Sequence, residues 1–176
     1  MKSRQNYKSR IAMPEMPRLD ALSLRILEAL QLDSEISMVD LAERVGGSTS
    51  ACWRRVSELK NQGVIQRSVA IVDPLALDLA VNVFVQVSLE RQDRKSLETF
   101  DAAVRTRPEI MECYLMSGES DYMLRVVVRD LIEFKTIMLD FITKIPGVAS
   151  IRSSFALSQV KYSTALPVHH LGGQGG

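Results

Sequence analysis

The most pointed polar chemistry in this chain lies in one run, Ser48-Thr49-Ser50-Ala51-Cys52-Trp53-Arg54-Arg55-Val56-Ser57-Glu58-Leu59-Lys60. At about 100° per residue, Cys52, Val56 and Leu59 fall on one side of a helix and Ser50, Arg54 and Ser57 on the other. Arginine forms charge-assisted bonds to phosphate and can hold guanine through two parallel hydrogen bonds, so Arg54 and Arg55 point to DNA. Ser48, Thr49 and Ser50, with the free backbone donors of a helix start, suit phosphate. Trp53 sits on the border of the two faces, where it either braces the helix or lies against a sugar-phosphate wall. The same spacing also describes an ordinary amphipathic helix with a charged outer face.

No rival chemistry presents itself. The chain has no G-x-S-x-G and no G-x-x-x-x-G-K-[ST], and neither Cys52 nor Cys113 has a second Cys or His at ligand spacing. His169-His170 is an adjacent pair in a Gly-rich tail, which does not converge on a metal without help. Asp93, Glu98 and Asp101 read as a solvated acidic face. The residues therefore predict no catalytic site, no metal and no cofactor.

The elements that would position the reading helix are legible around it. Ser48 can cap its first turn and Gly63 can end its last. Upstream, Asp20 caps a helix carrying Leu22, Ile26, Leu27 and Leu30. Ser37 with Asp40 forms a variant capping box, opening a second helix expected to turn Val39, Ala42 and Val45 inward, and Gly46-Gly47 breaks the chain before Ser48. Three short helices, the last two joined by a glycine turn, are a helix-turn-helix. Residues 1–18 are basic and polar and predict a flexible arm, free or reaching a minor groove.

Val64, Ile65, Val69, Ile71 and Val72 suggest an extended run into Asp73-Pro74, with a hinge over 67–78. Then Val81, Val83, Val85 and Val87 alternate as in a strand, and Leu97, Phe100 and Val104 make a helical stripe. Ile110 to Ser117 and Tyr122 to Arg129 form a hairpin through Gly118-Glu119-Ser120-Asp121. Asp130 caps a helix with Leu131, Phe134, Met138 and Phe141 inward, and Val148 to Leu157 is a last strand. The order βαββαβ predicts a ferredoxin-like sandwich over 79–168, with a further short strand at 160–168 and a loose tail at 169–176. The fold class is α+β, with a helix-turn-helix domain over 19–66.

The totals agree with a soluble protein of one large domain or two small ones. In 176 residues the net charge is only +1, but residues 1–72 carry 11 Lys+Arg against 8 Asp+Glu, an excess of +3, while the remainder stands at −2. No apolar run approaches the roughly 18 residues of a membrane span, and the two cysteines read as reduced core thiols. Both point to the cytoplasm.

Leu19-Asp20 before the first helix, Leu41-Ala42 with Val45-Gly46, Cys52-Trp53-Arg54-Arg55-Val56 with Leu59, and Gly63-Val64-Ile65 resemble the DNA-binding half of the Lrp/AsnC family. Met116 to Val126, Pro146-Gly147-Val148, and Ser153-Ser154-Phe155-Ala156-Leu157 with Lys161 resemble its effector domain. Together these span Leu19 to Pro167. The Cys52-Trp53 pair and the chain ending look most similar to a branch that includes a cysteine-responsive regulator, whose members answer to different amino acids.

This resemblance implies a transcription regulator whose homodimers form through the effector domains, assemble to an octamer and bind a pseudo-palindromic operator. It implies a small effector, usually an amino acid, held between dimers by Gly118, Asp121 and Tyr122 with Ser154 and Ala156. Residue chemistry is compatible: amides in a Gly turn hold a carboxylate, and Asp121 answers an ammonium group. Asp121 bonding its own turn and Tyr122 as a plain strand aromatic are the alternatives. Many relatives have proline at the start of the reading helix, where this chain has Ser48-Thr49-Ser50-Ala51. Two rival functions stand beside this one: a ligand-binding or enzymatic sandwich whose helices only mediate assembly, and a DNA-compacting protein of low sequence preference.

Overall fold

The computed structural model describes residues 19–168 and 170, so the arm at 1–18 and most of the tail at 169–176 lie outside the described residues. The chain divides into two compact units, Ile71–Lys161 and the remainder.

The helical unit is built from α1 (Ala21–Leu32), α2 (Met38–Val45) and α3 (Thr49–Asn61). Each begins on a short polar residue whose side chain accepts from a backbone amide in the first turn: Asp20 from Ser23, Ser37 from Asp40, Ser48 from Ala51. In the box that opens α2, Ser37 Oγ also donates to Asp40 Oδ2 at 2.7 Å. Gly46 (φ 66°) and Gly63 (φ 73°) follow the ends of α2 and α3 in left-handed conformations. At the second, Val64 N–H reaches Leu59 O and Gly63 N–H reaches Lys60 O, both at 3.0 Å, closing the last turn.

Ile26, Leu27 and Ala29 of α1 meet Leu41, Ala42 and Val45 of α2 and Cys52, Val56 and Leu59 of α3. Val39 departs from the expectation and is 64% exposed, while Leu41 is fully buried. In so short a helix the inward stripe runs through 41, 42 and 45, and 39 falls outside it. Residues 160–168 form no strand. The stretch from Tyr162 groups with the helices, and Leu166 pairs its backbone with the Gln31 side chain, donating at 2.7 Å and accepting at 3.2 Å. A single amide side chain satisfies one residue but cannot propagate a ladder.

The second unit follows β1 (Val81–Leu89), α4 (Arg94–Val104), β2 (Ile110–Leu115), β3 (Tyr122–Val128), α5 (Leu131–Asp140) and β4 (Val148–Phe155). The strands form one antiparallel sheet in the order β2-β3-β1-β4. Val83, Val85 and Val87 of β1 pair with Val126, Leu124 and Tyr122 of β3 and share one face. That face packs on Phe100 and Val104 of α4 and on Phe134 and Ile137 of α5. Leu131, the first residue of α5, is exposed, not inward, and burial in that helix begins at Phe134. Cys113 is exposed too, whereas Cys52 is a core thiol as expected.

Val69, Ile71 and Val72 run without assigned secondary structure and are exposed. The other sheet face, with Phe84, Gln86, Met123, Arg125, Tyr114 and Arg152, carries no helix of its own unit.

Candidate functional sites

The outer face of α3 is set by its cap and its buried stripe. Ser48 is spent on the cap: its Oγ accepts from Ala51 N–H at 3.2 Å and lies 3.2 Å from Ser50 Oγ. Thr49, Ser50, Trp53 and Arg54 face solvent. A large exposed indole beside a guanidinium is an unusual surface for a helix that serves only as packing.

Two residues of the expected DNA set behave differently. Ser57 donates its hydroxyl to Trp53 O one turn back, at 2.9 Å, and is half-buried. Arg55 leans toward the start of α1: its Nη2 donates to Asp20 Oδ2 at 2.6 Å and its Nη1 to Glu58 Oε2 at 2.7 Å. Asp20 is held below its ordinary carboxylate value first by hydrogen bonds from Ser23 and then by the Arg55 and Arg25 charges. Arg25, which sequence reasoning missed, donates from Nε to Val45 O at 2.9 Å and places a cation at the C-terminus of α2.

At the hairpin the structure turns inward. Asp121 is 8% exposed. One carboxylate oxygen accepts from Leu89 N–H at 2.7 Å and the other from Gln92 Nε2 at 2.6 Å. The carboxylate therefore does not bond its own turn, where only the backbone carbonyl of Asp121 accepts, from Met116 N–H at 2.8 Å. It ties the hairpin to the end of β1 and the loop beyond. Tyr122 is a core residue, 1% exposed, its ring 4.3 Å from that of Phe100 and its hydroxyl donating to Asp101 Oδ1 at 2.8 Å. Gly118 has no left-handed φ and open space where a Cβ would stand, so it supplies room rather than a forced turn.

Beside the hairpin is a small hollow of about 100 Å³, lined by Gln86, Ser88, Glu119, Ser120, Ser150, Ile151 and Arg152. Glu119 and Arg152 lie across it, 3.9 Å apart and both exposed. Neither was singled out from sequence. Their opposition depends on β4 lying beside β1, a pairing that no local pattern announces.

Ser154 and Ala156 do not join this group. Ser154 is opposite Phe84, two residues and about 7 Å along β4 from Arg152, whereas Ala156 donates its N–H to Asn82 O, toward the other end of β1 from the hairpin. Six residues of strand separate Ser88 from Asn82, about 20 Å at the usual rise. Ala156 instead lines an open apolar groove of about 630 Å³ with Val81, Phe134, Met138 and Phe155. Among the described residues no group of acidic, His and Cys side chains is placed to hold a metal, and no helix is long and apolar enough to cross a membrane.

Comparison with known proteins accounts for both regions. Residues 19–66 match a family model for winged helix-turn-helix DNA-binding, and residues 82–166 match the Lrp/AsnC ligand binding domain. The chain is 42% identical over 153 residues to the Bkd operon transcriptional regulator of Pseudomonas aeruginosa, covering 87% of this chain and all of that protein. It is 38% identical over 150 residues to the leucine-responsive regulatory protein of Salmonella typhimurium, covering 85% of this chain and 92% of that protein. A transcriptional regulator of Neisseria meningitidis, solved as its L-Met complex, superposes with a TM-score of 0.83 at 35% identity over 87% of this chain and 99% of that one.

These relatives are named as regulators of transcription, and the rival enzymatic reading gives way to them. Paired with an exposed reading helix and a ligand-binding sheet domain, they establish that this non-enzymatic chain belongs to the Lrp/AsnC family of DNA-binding transcriptional regulators.

Proposed function

We propose that this regulator reads a pseudo-palindromic operator with Thr49, Ser50, Trp53 and Arg54 of α3, Ser48 fixing the start of the helix, and that an amino acid bound at the hairpin controls it. The observation that carries the effector half is the hollow beside Gly118 to Asp121, where Glu119 and Arg152 stand 3.9 Å apart. A carboxylate and a guanidinium facing one another suit the two ends of a zwitterion, and the amides of residues 118–120 add donors for its carboxylate. Asp121 and Tyr122 support this site by holding the hairpin in place. Ser154 and Ala156 do not line this hollow and are not part of the proposed site.

A second copy is the partner that the uncovered sheet face fits. Phe84 and Tyr114 stand exposed there around an Arg125 to Glu112 ion pair of 2.7 Å. Homodimers through this face supply two reading helices for two half-sites, and further association gives the octamer. The regulator works in the cytoplasm.

Thermal-shift titration of the full chain with the twenty amino acids, beginning with methionine, leucine and cysteine, tests the effector reading. One of them is expected to raise Tm, and Glu119→Gln with Arg152→Gln to abolish the shift. No shift with any amino acid would remove it. Sedimentation with and without that ligand tests the octamer.

A further inference from the structure

The two adjacent arginines of α3 are alike in sequence and unlike in the fold. The Arg54 side chain is 71% exposed and meets Glu58 Oε1 only at 3.9 Å. The Arg55 side chain is 28% exposed and is bonded at both terminal nitrogens, while its Nε is buried without a partner. Asp20 uses its two oxygens separately: Oδ1 accepts from Ser23 N–H at 2.8 Å, capping α1, and Oδ2 accepts from Arg55. Glu58 likewise divides its oxygens between Arg55 and Arg54.

We propose that Arg55 is a positioning residue and not a DNA contact. It locks the reading helix to the N-terminus of α1 through Asp20, and through Glu58 it sets where Arg54 stands. To reach a phosphate, the Arg55 guanidinium would have to give up two charge-assisted hydrogen bonds, of 2.6 Å to Asp20 and 2.7 Å to Glu58. The clamp also spends the Glu58 charge, which would otherwise face the phosphates as a like charge.

Position matters because base readout is short-ranged. α3 has 13 residues, about 20 Å at 1.5 Å per residue, so a tilt of roughly 10° moves its far end by about 3 Å and breaks hydrogen bonds to base edges. Phosphate contacts through long, flexible side chains tolerate such a shift. Loss of the clamp therefore lowers discrimination more than general affinity.

The inference rests on the DNA-reading assignment, and its test separates the two. The wild-type chain first selects a duplex from a random pool; no enrichment would count against sequence reading itself. Wild type, Arg55→Lys, Arg55→Gln and Asp20→Asn are then titrated with the selected and a scrambled duplex across a salt series, with Tm recorded for each. Lysine keeps the charge but cannot span two carboxylates, and asparagine keeps the cap but loses the charge.

The expected result is that Arg55→Lys and Asp20→Asn each weaken selected-duplex binding about tenfold, leave scrambled-duplex binding and the salt slope unchanged, and are not additive when combined. Wild-type binding by Arg55→Lys would overturn the proposal. So would a slope lowered by about 0.9 in Arg55→Gln on both duplexes alongside an unaffected Asp20→Asn, the mark of a lost phosphate contact. Should Arg55→Lys fail to fold, Asp20→Asn decides alone by the same criteria.

Discussion

The reading helix and the hairpin treat their polar side chains in opposite ways. On α3, Ser50 and Arg54 face solvent as their spacing requires, and Thr49 and Trp53 face it as well. At the hairpin, Asp121 and Tyr122 turn inward, Asp121 onto Leu89 N–H and Gln92, Tyr122 under α4 onto Asp101. The first region presents its chemistry, and the second uses its most suggestive residues to build the frame from which Glu119 and Arg152 project. Along a helix, side-chain direction follows from position alone. Tyr122 follows the alternation of β3, whereas the partner of Asp121, just before that strand, depends on which other strand lies alongside.

Asp121→Ala is the strongest test of this contrast. It strips a buried amide and a side-chain donor of their acceptor, so unfolding stability is expected to fall by about 3 kcal/mol in a urea titration of the full chain. Ligand affinity would fall with it as an indirect consequence. If stability held and only ligand binding vanished, Asp121 would be a direct ligand contact after all.

The next effect belongs to α3. Arg54→Ala is expected to cost about 2 kcal/mol of discrimination between the selected and scrambled duplexes, with urea stability within about 0.5 kcal/mol of wild type. Equal binding of both duplexes by wild type and variant would take Arg54 off the reading face and blur the comparison.

A smaller loss, about 1 kcal/mol, is expected for Tyr122→Phe, which keeps the ring against Phe100 but loses the hydroxyl bond to Asp101. Its ligand-induced Tm shift should survive. Disappearance of that shift at full stability would return Tyr122 to the effector site.

The slightest effect is one of pH. Asp20 is lowered from an ordinary value of 3.8, so its ionised form stabilises the fold above that value. The contribution is lost as pH falls through the lower folded value. Wild type is expected to lose stability more steeply than Asp20→Asn on acidification below about pH 4. Parallel curves would show that the Asp20 charge contributes nothing to the link between α1 and α3.

Where legibility ended can be followed residue by residue. Asp20, Ser37 and Ser48 as caps, and Gly46 and Gly63 as stops, were readable because each bonds within a few residues of itself. The valines of β1 and the order βαββαβ were readable because alternation and turn residues are local signals. Val39 and Leu131 misled because at a helix end the stripe has too few turns to choose its face. The strand expected at 160–168 failed because alternation cannot reveal whether an edge is free to receive it.

The amino-acid sequence by itself determined the helices and the four strands of this protein, the helix caps, and the exposure of Ser50 and Arg54 on α3, since helix periodicity and capping bonds act over three or four residues. The tertiary structure alone decided what Arg55, Asp121 and Arg152 do. The partner of Arg55 is Asp20, 35 residues away, and that of Asp121 is Leu89, 32 residues away. Arg152 meets Glu119 only because β4 pairs with β1. A charged group commits to whichever counter-charge or donor packing brings within about 3 Å, and packing is a property of the whole chain.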